Sequence, residues 1–502
     1  MFVNTFWSLV PPIVAIGLAL LTKETYSSLF IGIVVGALLA TDFSPIGALD
    51  TIINDGLTAA SADNAGIFLF LVILGVMVAL VNATGGSAAF GRWAASHIHS
   101  KAGALLATFA LGVLIFIDDY FNCLTVGSVM TPVTDSQRIS RVKLAYLIDA
   151  TAAPICMIAP ISSWAAAVSG VAAKLDTGVS GIQLFIEAIP YNFYSLLTIV
   201  FVITMVVLGV DYGPMAAAEL KAAQTGDLGA LSEEQEEGSS RANMWDMLIP
   251  IILLIIFCVI GLIYVGGFWD PETNAGDFIA AFGDTDAFVG LPWGALIALV
   301  LSIIYLCARR VITFKGAMGC MTKGFNAMVP AILILTFAVS LKSMTGLLGA
   351  ADYVEGLMKQ ASEGLFMLLP AIIFVVACLL AFATGTSWGT FGILIPIVLP
   401  IFNAAPDLQI MGISACLAGA VCGDHCSPIS DTTIMASAGA NCNHIDHVST
   451  QIPYAVTVAA ICFVNYILAA FIRNVVISLA IGVVMVIGTL LVIRSVQSRK
   501  TA

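Results

Sequence analysis

The polar stretch 423–433, which reads Gly-Asp-His-Cys-Ser-Pro-Ile-Ser-Asp-Thr-Thr, stands where the surrounding sequence predicts an ordinary membrane span. Seven of its eleven residues carry a side-chain oxygen or an imidazole. Unpaired polar groups at bilayer depth are strongly unfavourable, so such residues are tolerated only where they line a site. Charged side chains inside a span therefore predict a functional site, with Asp424 and Asp431 as its carboxylates.

Proline at the centre of this stretch indicates what kind of site it is. Pro428 removes a backbone donor and clashes with the preceding turn, so it should break the helix, and Pro160 should do the same earlier in the chain. A broken helix exposes free carbonyl groups on one side of the break and a positive dipole end on the other. With hydroxyl groups, these are hard oxygen ligands that suit a small hard cation. The hydroxyl-bearing candidates beside the two breaks are Ser427, Ser430, Thr432 and Ser162.

Two more polar interruptions lie at the turns of predicted helical hairpins. Residues 118–122 follow the apolar run 105–117, and residues 384–390 interrupt a second apolar pair. We expect both turns to face the broken helices and to add side chains to the binding region. Those side chains are Asp118, Asp119, Asn122, Thr386 and Ser387.

Proton chemistry is predicted for the acids and the histidine at membrane depth. A carboxyl group that is removed from water favours its protonated form, and it can hold either a proton or a metal cation but not both. Competition at one carboxylate, combined with alternating access, is sufficient for cation–proton exchange. The predicted proton-coupling residues are Asp424, Asp431, Asp149 and His425.

A zinc site is the alternative interpretation of the cysteines and histidines in this region. One set is His425 with Cys422 and Cys426, and a second set lies within 442–447. Zinc requires thiolate and imidazole ligands that converge tetrahedrally, and neither spacing indicates convergence. We therefore expect no metal other than Na⁺ at the oxygen ligands and no cofactor, and we interpret 441–451 as a polar cytoplasmic loop.

The composition requires that a membrane positions these residues. The chain of 502 residues is 60% hydrophobic and only 10% charged, with a mean hydropathy of +1.03. This excludes an ordinary soluble protein, and the net charge of −12 disfavours nucleic acid as a partner. Apolar runs long enough to cross a bilayer recur along the whole chain. The predicted fold is an all-α polytopic membrane protein with about eleven full spans, two re-entrant helical hairpins and broken helices.

The basic residues orient the predicted spans. All but four of the 19 Lys and Arg residues can be placed on one side, while the loops 42–65, 267–287 and 403–411 contain acids but no Lys or Arg. Because basic residues favour the cytoplasmic side, this arrangement predicts an N-terminus outside and a C-terminus in the cytoplasm.

The chain divides into two transmembrane halves, 1–210 and 246–502, joined by an acidic cytoplasmic linker at 211–245. The halves match at an offset of 268 residues, so that Pro160-Ile161-Ser162 corresponds to Pro428-Ile429-Ser430, and corresponding loops differ in charge. An inverted-topology repeat of this kind is typical of secondary transporters. Each half contains one predicted hairpin and one predicted broken helix, at about 102–133 and 144–174 in the first half and at about 364–402 and 412–440 in the second.

The stretch 423–433 resembles the signature Gly-Asp-x-x-Ser-Pro-x-Ser-Asp-Thr-Thr of the NhaC family of sodium–proton antiporters at every fixed position. The turn 384–390 is similar to the tip of that family's second hairpin, and the resemblance extends over nearly the whole chain. It implies a prokaryotic inner-membrane protein, a homodimer, that exchanges Na⁺ for H⁺. Relatives in the family also exchange organic acids or amino acids. By matching position, the resemblance implies a binding region at Asp424, Ser427, Ser430, Asp431, Thr432 and Thr386 or Ser387.

Two functional hypotheses follow. The first is an Na⁺/H⁺ antiporter in which Asp424 or Asp431 exchanges the cation for a proton, with the acids of the first half forming a second polar site or a proton route. The second is an Na⁺- or H⁺-coupled carrier of a small carboxylate or amino acid. A buried basic residue would favour the second hypothesis, and only Lys342 and Lys174 are near candidates. A channel or an enzyme accounts less well for the repeat, so we expect a transporter and not an enzyme.

Overall fold

A computed structural model of the chain describes most of its residues. They are 2–22, 25–86, 100–116, 119–159, 181–231, 242–350, 366–402 and 406–501, with 89, 93, 97, 98, 162, 164, 165, 168, 352 and 353. Three residues singled out in the sequence, Asp118, Pro160 and Lys174, lie outside the described residues. In the described part every regular element is a helix, apart from one isolated bridge between Ala230 and Cys442.

The helices of the first half and the linker are α1 (Val10–Thr22), α2 (Thr25–Ala40), α3 (Pro45–Thr51), α4 (Ala59–Asp63), α5 (Ala65–Thr84), α6 (Lys101–Leu114), α7 (Asp119–Ser136), α8 (Arg141–Thr151), α9 (Ala153–Cys156), α10 (Gly181–Ala188), α11 (Phe193–Leu208) and α12 (Gly213–Thr225). Those of the second half are α13 (Trp245–Val265), α14 (Phe278–Gly283), α15 (Ala287–Ala308), α16 (Phe314–Leu347), α17 (Leu369–Thr384), α18 (Ser387–Ile401), α19 (Pro406–Cys426), α20 (Asp431–Gly439), α21 (His444–Ile472) and α22 (Val475–Thr501).

Six helices in the described residues are long and apolar enough to cross a membrane, and the bent pair α19 and α20 makes a seventh if it is one span. These helices confirm the multi-pass, all-α class, whereas the count of eleven spans remains a prediction. The predicted spans 8–22 and 26–41 correspond to helices of 13 and 16 residues, shorter than the roughly 20 residues of a typical crossing. The six helices are Ala65–Thr84, Phe193–Thr225, Trp245–Val265, Phe288–Ala308, His444–Ile472 and Val475–Gln497.

Both predicted hairpins are pairs of helices. Hairpin 1 consists of α6 and α7, and hairpin 2 consists of α17 and α18, joined at Gly385 and Thr386. Helix α7 packs against α20, while α17 packs along α19. The two hairpins therefore hold the two sides of the bent pair, which is the region that the sequence predicts as the site.

The first part of the linker packs against the transmembrane helices. Helix α12 packs against α8 and α21, and the side chain of Glu219 within it is only 5% exposed. Glu219 accepts hydrogen bonds from the backbone N–H and the hydroxyl of Ser140 at 2.8 and 2.6 Å, and it pairs with Lys101 at the start of hairpin 1. A buried acid with three donors attaches the linker helix to the transmembrane part of the protein.

The prediction of a polar loop at 441–451 is wrong. Helix α21 begins at His444, where the side chain of Asn443 accepts a hydrogen bond from the backbone N–H of Asp446 at 3.1 Å. His447 and Gln451 are fully buried on its first turns. The spacing of three and four residues places these polar side chains on one face of the helix, which faces the protein interior. The predicted loop at 42–65 is likewise mostly helical, with a π-helical segment at Ile52–Thr58 between α3 and α4.

A buried ion pair joins α13 to α15, and it leads to a stability prediction. The side chain of Asp246 is fully buried and accepts hydrogen bonds from Nε and Nη2 of Arg309 at 3.0 and 3.1 Å. We expect Arg309→Met to lower the free energy of unfolding by about 2 kcal/mol, because it leaves a carboxylate buried without its main partner. Thermal unfolding in detergent measures this loss. Arg310→Met, at the exposed neighbouring arginine, is the control, and equal melting temperatures for the two variants would contradict the prediction.

Candidate cation-binding site at a helix break

The helix break at Pro428 is present in the structure. Helix α19 ends at Cys426, α20 begins at Asp431, and the two axes differ by 49°. The hydroxyl of Ser430 caps α20 by accepting a hydrogen bond from the backbone N–H of Thr433 at 3.3 Å. On the other side of the break, the carbonyl oxygen of Pro428 lies 2.7 Å from Nε2 of His444. The predicted proline break is therefore confirmed, and polar contacts hold the start of α20 and the segment between the two helices.

Asp424 lies in the last turn of α19 and is only 2% exposed. Its Oδ2 accepts hydrogen bonds from the hydroxyl of Ser387 at 2.6 Å and from the backbone N–H of Ser387 at 3.3 Å. Its Oδ1 has no hydrogen-bond partner among the described residues. Ser387 is the first residue of α18, so hairpin 2 orients one carboxylate oxygen and leaves the other available for a ligand.

Asp431 begins α20 on the opposite side of the break. Its Oδ2 accepts a hydrogen bond from the hydroxyl of Tyr120 at 2.5 Å, and its Oδ1 accepts one from the backbone N–H of Thr432 at 2.9 Å. Tyr120 belongs to the first turn of α7 in hairpin 1. Two carboxylates thus flank one break, and each is oriented by a different hairpin. The positive end of the α20 dipole further favours negative charge at Asp431.

The neighbouring hydroxyls divide into two groups by their partners. Ser430 and Thr432 lie beside the carboxylates, and their hydroxyl oxygens are 2.9 Å apart. The hydroxyl of Ser427 instead donates to the carbonyl of Phe382 at 2.8 Å and joins the break to hairpin 2. Thr386 caps α18 by accepting from the backbone N–H of Gly389 at 3.3 Å. The first pair lies at the start of α20 beside Asp431, and the hydrogen bonds of the second pair hold hairpin 2 in place.

The predicted site residues of the first half make structural contacts. The side-chain amide of Asn122 donates to the carbonyls of Gly112, Ile115 and Thr151 at 2.6, 2.9 and 3.0 Å, which joins hairpin 1 to the end of α8. Asp119 is buried at the start of α7. The hydroxyl of Ser162 donates to the carbonyl of Cys156 at 2.7 Å. The hydrogen bonds of Asn122 and Ser162 in the described part do not reach the carboxylate pair, so their role as ligands remains a prediction.

Some contacts recur at the offset of 268 residues. Ser162 accepts from the backbone N–H of Ala165 at 3.2 Å, as Ser430 does from that of Thr433. The rings of Trp164 and Phe391 are 6.0 Å apart, and at the corresponding positions the thiol of Cys123 lies 3.6 Å from the carbonyl oxygen of Thr432. In both cases a hairpin residue contacts the broken segment of the other half.

A second polar cluster surrounds Asp149. Its Oδ2 accepts a hydrogen bond from the amide of Gln451 at 2.8 Å and lies 3.4 Å from Nε2 of His447 and 4.0 Å from Nε2 of His425. Nδ1 of His425 lies 2.8 Å from the hydroxyl of Tyr194. The structure therefore brings together the predicted residues Asp149 and His425, and adds two side chains that the sequence analysis assigned to a loop. In the described residues no group of three or more His, Cys, Asp or Glu side chains is arranged to hold a metal ion.

The contact between Tyr120 and Asp431 leads to a prediction about cation affinity. We expect Tyr120→Phe to weaken apparent cation affinity by about tenfold, because Asp431 loses the hydrogen bond that orients its carboxylate. The concentration dependence of transport measures this change. Tyr264→Phe, at an exposed tyrosine on α13, is the matched control. An unchanged affinity in Tyr120→Phe would show that this hydrogen bond does not position the ligand.

The chain is similar to one protein family and to several individual proteins. The sequence profile of the Na⁺/H⁺ antiporter family matches residues 155–471. An uncharacterised protein of Haemophilus influenzae is 37% identical over 486 residues, which cover 94% of this chain and 92% of that protein. The arginine/ornithine antiporter ArcD of Halobacterium salinarum is 26% identical over 239 residues, covering 47% of this chain and 44% of that protein. The malate-2H⁺/Na⁺-lactate antiporter of Bacillus subtilis is 26% identical over 198 residues, which cover 39% of this chain and 42% of that protein.

Proposed function

The chain belongs to the Na⁺/H⁺ antiporter family, and from this premise we propose that it exchanges Na⁺ for H⁺ by alternating access. Na⁺ would bind between Asp424 and Asp431, with the hydroxyls of Ser430 and Thr432 as further oxygen ligands. The observation that carries this proposal is the pair of carboxylates on either side of one helix break, each oriented by a different hairpin. Hard oxygen ligands suit Na⁺. Oδ1 of Asp424 has no hydrogen-bond partner in the described part of the chain, so this carboxylate can take up either the cation or a proton.

Alternating access is supported by the contacts that recur at the offset of 268 residues. In an inverted repeat, two equivalent assemblies can exchange conformations, which opens the site first to one side and then to the other. We propose this repeat for the halves 1–210 and 246–502, in a homodimer in the prokaryotic inner membrane with the N-terminus outside and the C-terminus in the cytoplasm. The acids Asp118, Asp119 and Asp149 of the first half would form a second polar site or a proton route.

A coupled carrier of a small carboxylate or amino acid is the second candidate, and one observation favours it. A β-carbon built on Gly389 of hairpin 2 would lie 3.9 Å from Cε of Lys342 on α16, and the positive charge of Lys342 acts on Asp431. An ammonium group at the hairpin tip could bind a substrate carboxylate. The names of two relatives, which specify arginine and ornithine or malate and lactate, agree with such a substrate.

Transport in proteoliposomes with an internal pH dye decides between the two candidates. The purified protein is challenged with Na⁺, Li⁺, K⁺, malate, lactate and amino acids in separate experiments. Under the proposed function, Na⁺ collapses an imposed pH gradient when no organic solute is present. If no inorganic cation does so while one organic solute does, the carrier is the correct function.

A further inference from the structure

Three helices converge on a group of titratable side chains next to the proposed cation site. Asp149 comes from α8, His425 from α19, and His447 and Gln451 from α21, and all four are fully buried. The separations of 3.4 and 4.0 Å between Asp149 and the two imidazoles are longer than a direct hydrogen bond. One water molecule or a small side-chain rotation would complete a path for a proton between them.

The cluster has hydrogen-bonding capacity that its neighbours in the described residues do not use. Oδ1 of Asp149, Nε2 of His425, both ring nitrogens of His447 and Oε1 of Gln451 have no hydrogen-bond partner there. A purely structural cluster is expected to satisfy its buried polar groups, because unsatisfied ones destabilise the fold. A carboxylate between two imidazoles with free donor and acceptor positions is instead suited to taking up and releasing a proton.

The cluster is connected to the cation site through the end of α19. His425 directly follows Asp424, and the amide of Gln451 donates to the carbonyl oxygen of His425 as well as to Asp149. The charge of Asp149 also acts on Asp424. If the hydroxyl of Tyr194 donates to Nδ1 of His425, the proton of the neutral ring lies on Nε2, which faces Asp149. A change in the protonation of Asp149 therefore changes the electrostatic environment of Asp424, and the reverse.

Aromatic side chains separate the cluster from the protein surface beside the linker helix, and they touch it through ring contacts. Tyr146 lies one turn before Asp149 on α8, and its ring stacks on that of His425 at 6.1 Å. The ring of Tyr454 meets Tyr146 edge-on at 5.0 Å, and its hydroxyl donates to Oδ1 of Asp211 at 2.7 Å. The side chain of Asp211 is 21% exposed and pairs with Lys143. The other titratable groups around the cluster are Tyr194, Cys422, Cys426, His444 and Tyr212.

We propose that Asp149 and His447 form a buried proton relay beside the cation site, which holds the proton that Na⁺ displaces. When Na⁺ binds, the proton displaced from Asp424 is taken up by the pair of Asp149 and His447. The reverse sequence reloads the site, and only O–H and N–H bonds are exchanged. This relay rests on the proposed function, since it serves the exchange of a cation for a proton.

His447→Gln, with Asp149→Asn as a second variant, tests the relay in two assays on proteoliposomes. One assay measures uptake of labelled Na⁺ driven by a pH gradient, and the other measures exchange of labelled for unlabelled Na⁺ at equal pH, which requires no net proton transfer. We expect Na⁺/H⁺ exchange to fall by about a hundredfold in both variants while Na⁺/Na⁺ exchange stays at the wild-type level. His97→Gln, at an exposed histidine outside the cluster, is the control and should leave both rates unchanged.

The outcomes separate the relay from the proposed function. Wild-type Na⁺/H⁺ exchange in both variants, or an equal loss in the two assays, would overturn the relay and leave Na⁺/H⁺ antiport in place. If the wild-type protein exchanges an organic solute for protons and does not exchange Na⁺, the proposed Na⁺/H⁺ antiport is wrong. The same two assays, run with that solute in place of Na⁺, then test the relay by the same criterion. If no solute moves against protons, both proposals are wrong.

Discussion

Asp424→Asn should reduce cation-driven proton movement to the level of empty liposomes, while the protein still inserts into the membrane and purifies in normal yield. Asparagine matches aspartate in size, and its side-chain oxygen can still accept the hydrogen bond from Ser387 that fixes the residue in the structure. The amide has no negative charge to neutralise Na⁺ and takes up no proton at physiological pH. The variant therefore keeps the fold and loses the exchanging group.

The measurement is the response of an internal pH dye to added Na⁺, with thermal unfolding in detergent as the check on folding. Asp446→Asn is the matched control, because Asp446 is an exposed acid in the first turn of α21. We expect this control to transport normally. Exchange at the wild-type rate in Asp424→Asn would exclude Asp424 as the coupling carboxylate and would direct attention to Asp431.

The features that could be predicted from the sequence are those that depend on local chemistry. Pro428 stands within a polar stretch and removes a backbone donor there, so it predicted the separation of α19 from α20 without knowledge of the fold. Proline alone is not sufficient, because Pro132, Pro250 and Pro453 lie inside continuous helices. The positions of Asp424 and Asp431 on either side of that break followed directly. Long apolar runs likewise predict a helical membrane protein, because a helix satisfies its own backbone hydrogen bonds in hydrocarbon.

The features that could not be predicted depend on contacts between distant parts of the chain. Tyr120 lies within a polar turn that the sequence analysis singled out, but its partner Asp431 is 311 positions away. His447 and Gln451 were assigned to a loop because the segment is hydrophilic, although their spacing from His444 matches one face of a helix. Hydrophilic composition was taken as a sign of exposure, whereas these side chains are buried against an aspartate from another helix.

A substitution in the turn of hairpin 2 should also have a large effect on transport. Gly385 is required there for two separate reasons. Its φ of +64° lies in the left-handed region, where a side chain costs about 1–2 kcal/mol. In addition, a β-carbon on Gly385 would overlap the carbonyl oxygen of Ile429 in the helix break. Gly385→Ala should therefore push the hairpin tip away from the break and move Ser387 from Asp424, with transport falling to near background.

Gly209→Ala separates these two causes. Gly209 ends α11 with a φ of +62°, and a β-carbon there would meet nothing within 4 Å. Both alanine variants carry the same backbone strain, and Gly385→Ala adds the overlap with Ile429. Both should therefore lose thermal stability, Gly385→Ala more than Gly209→Ala, but only Gly385→Ala should lose transport. If both variants transport alike, the close approach of hairpin 2 to Ile429 is not needed for function. A selective loss would instead show that the carboxylate of Asp424 works only when the hairpin holds it.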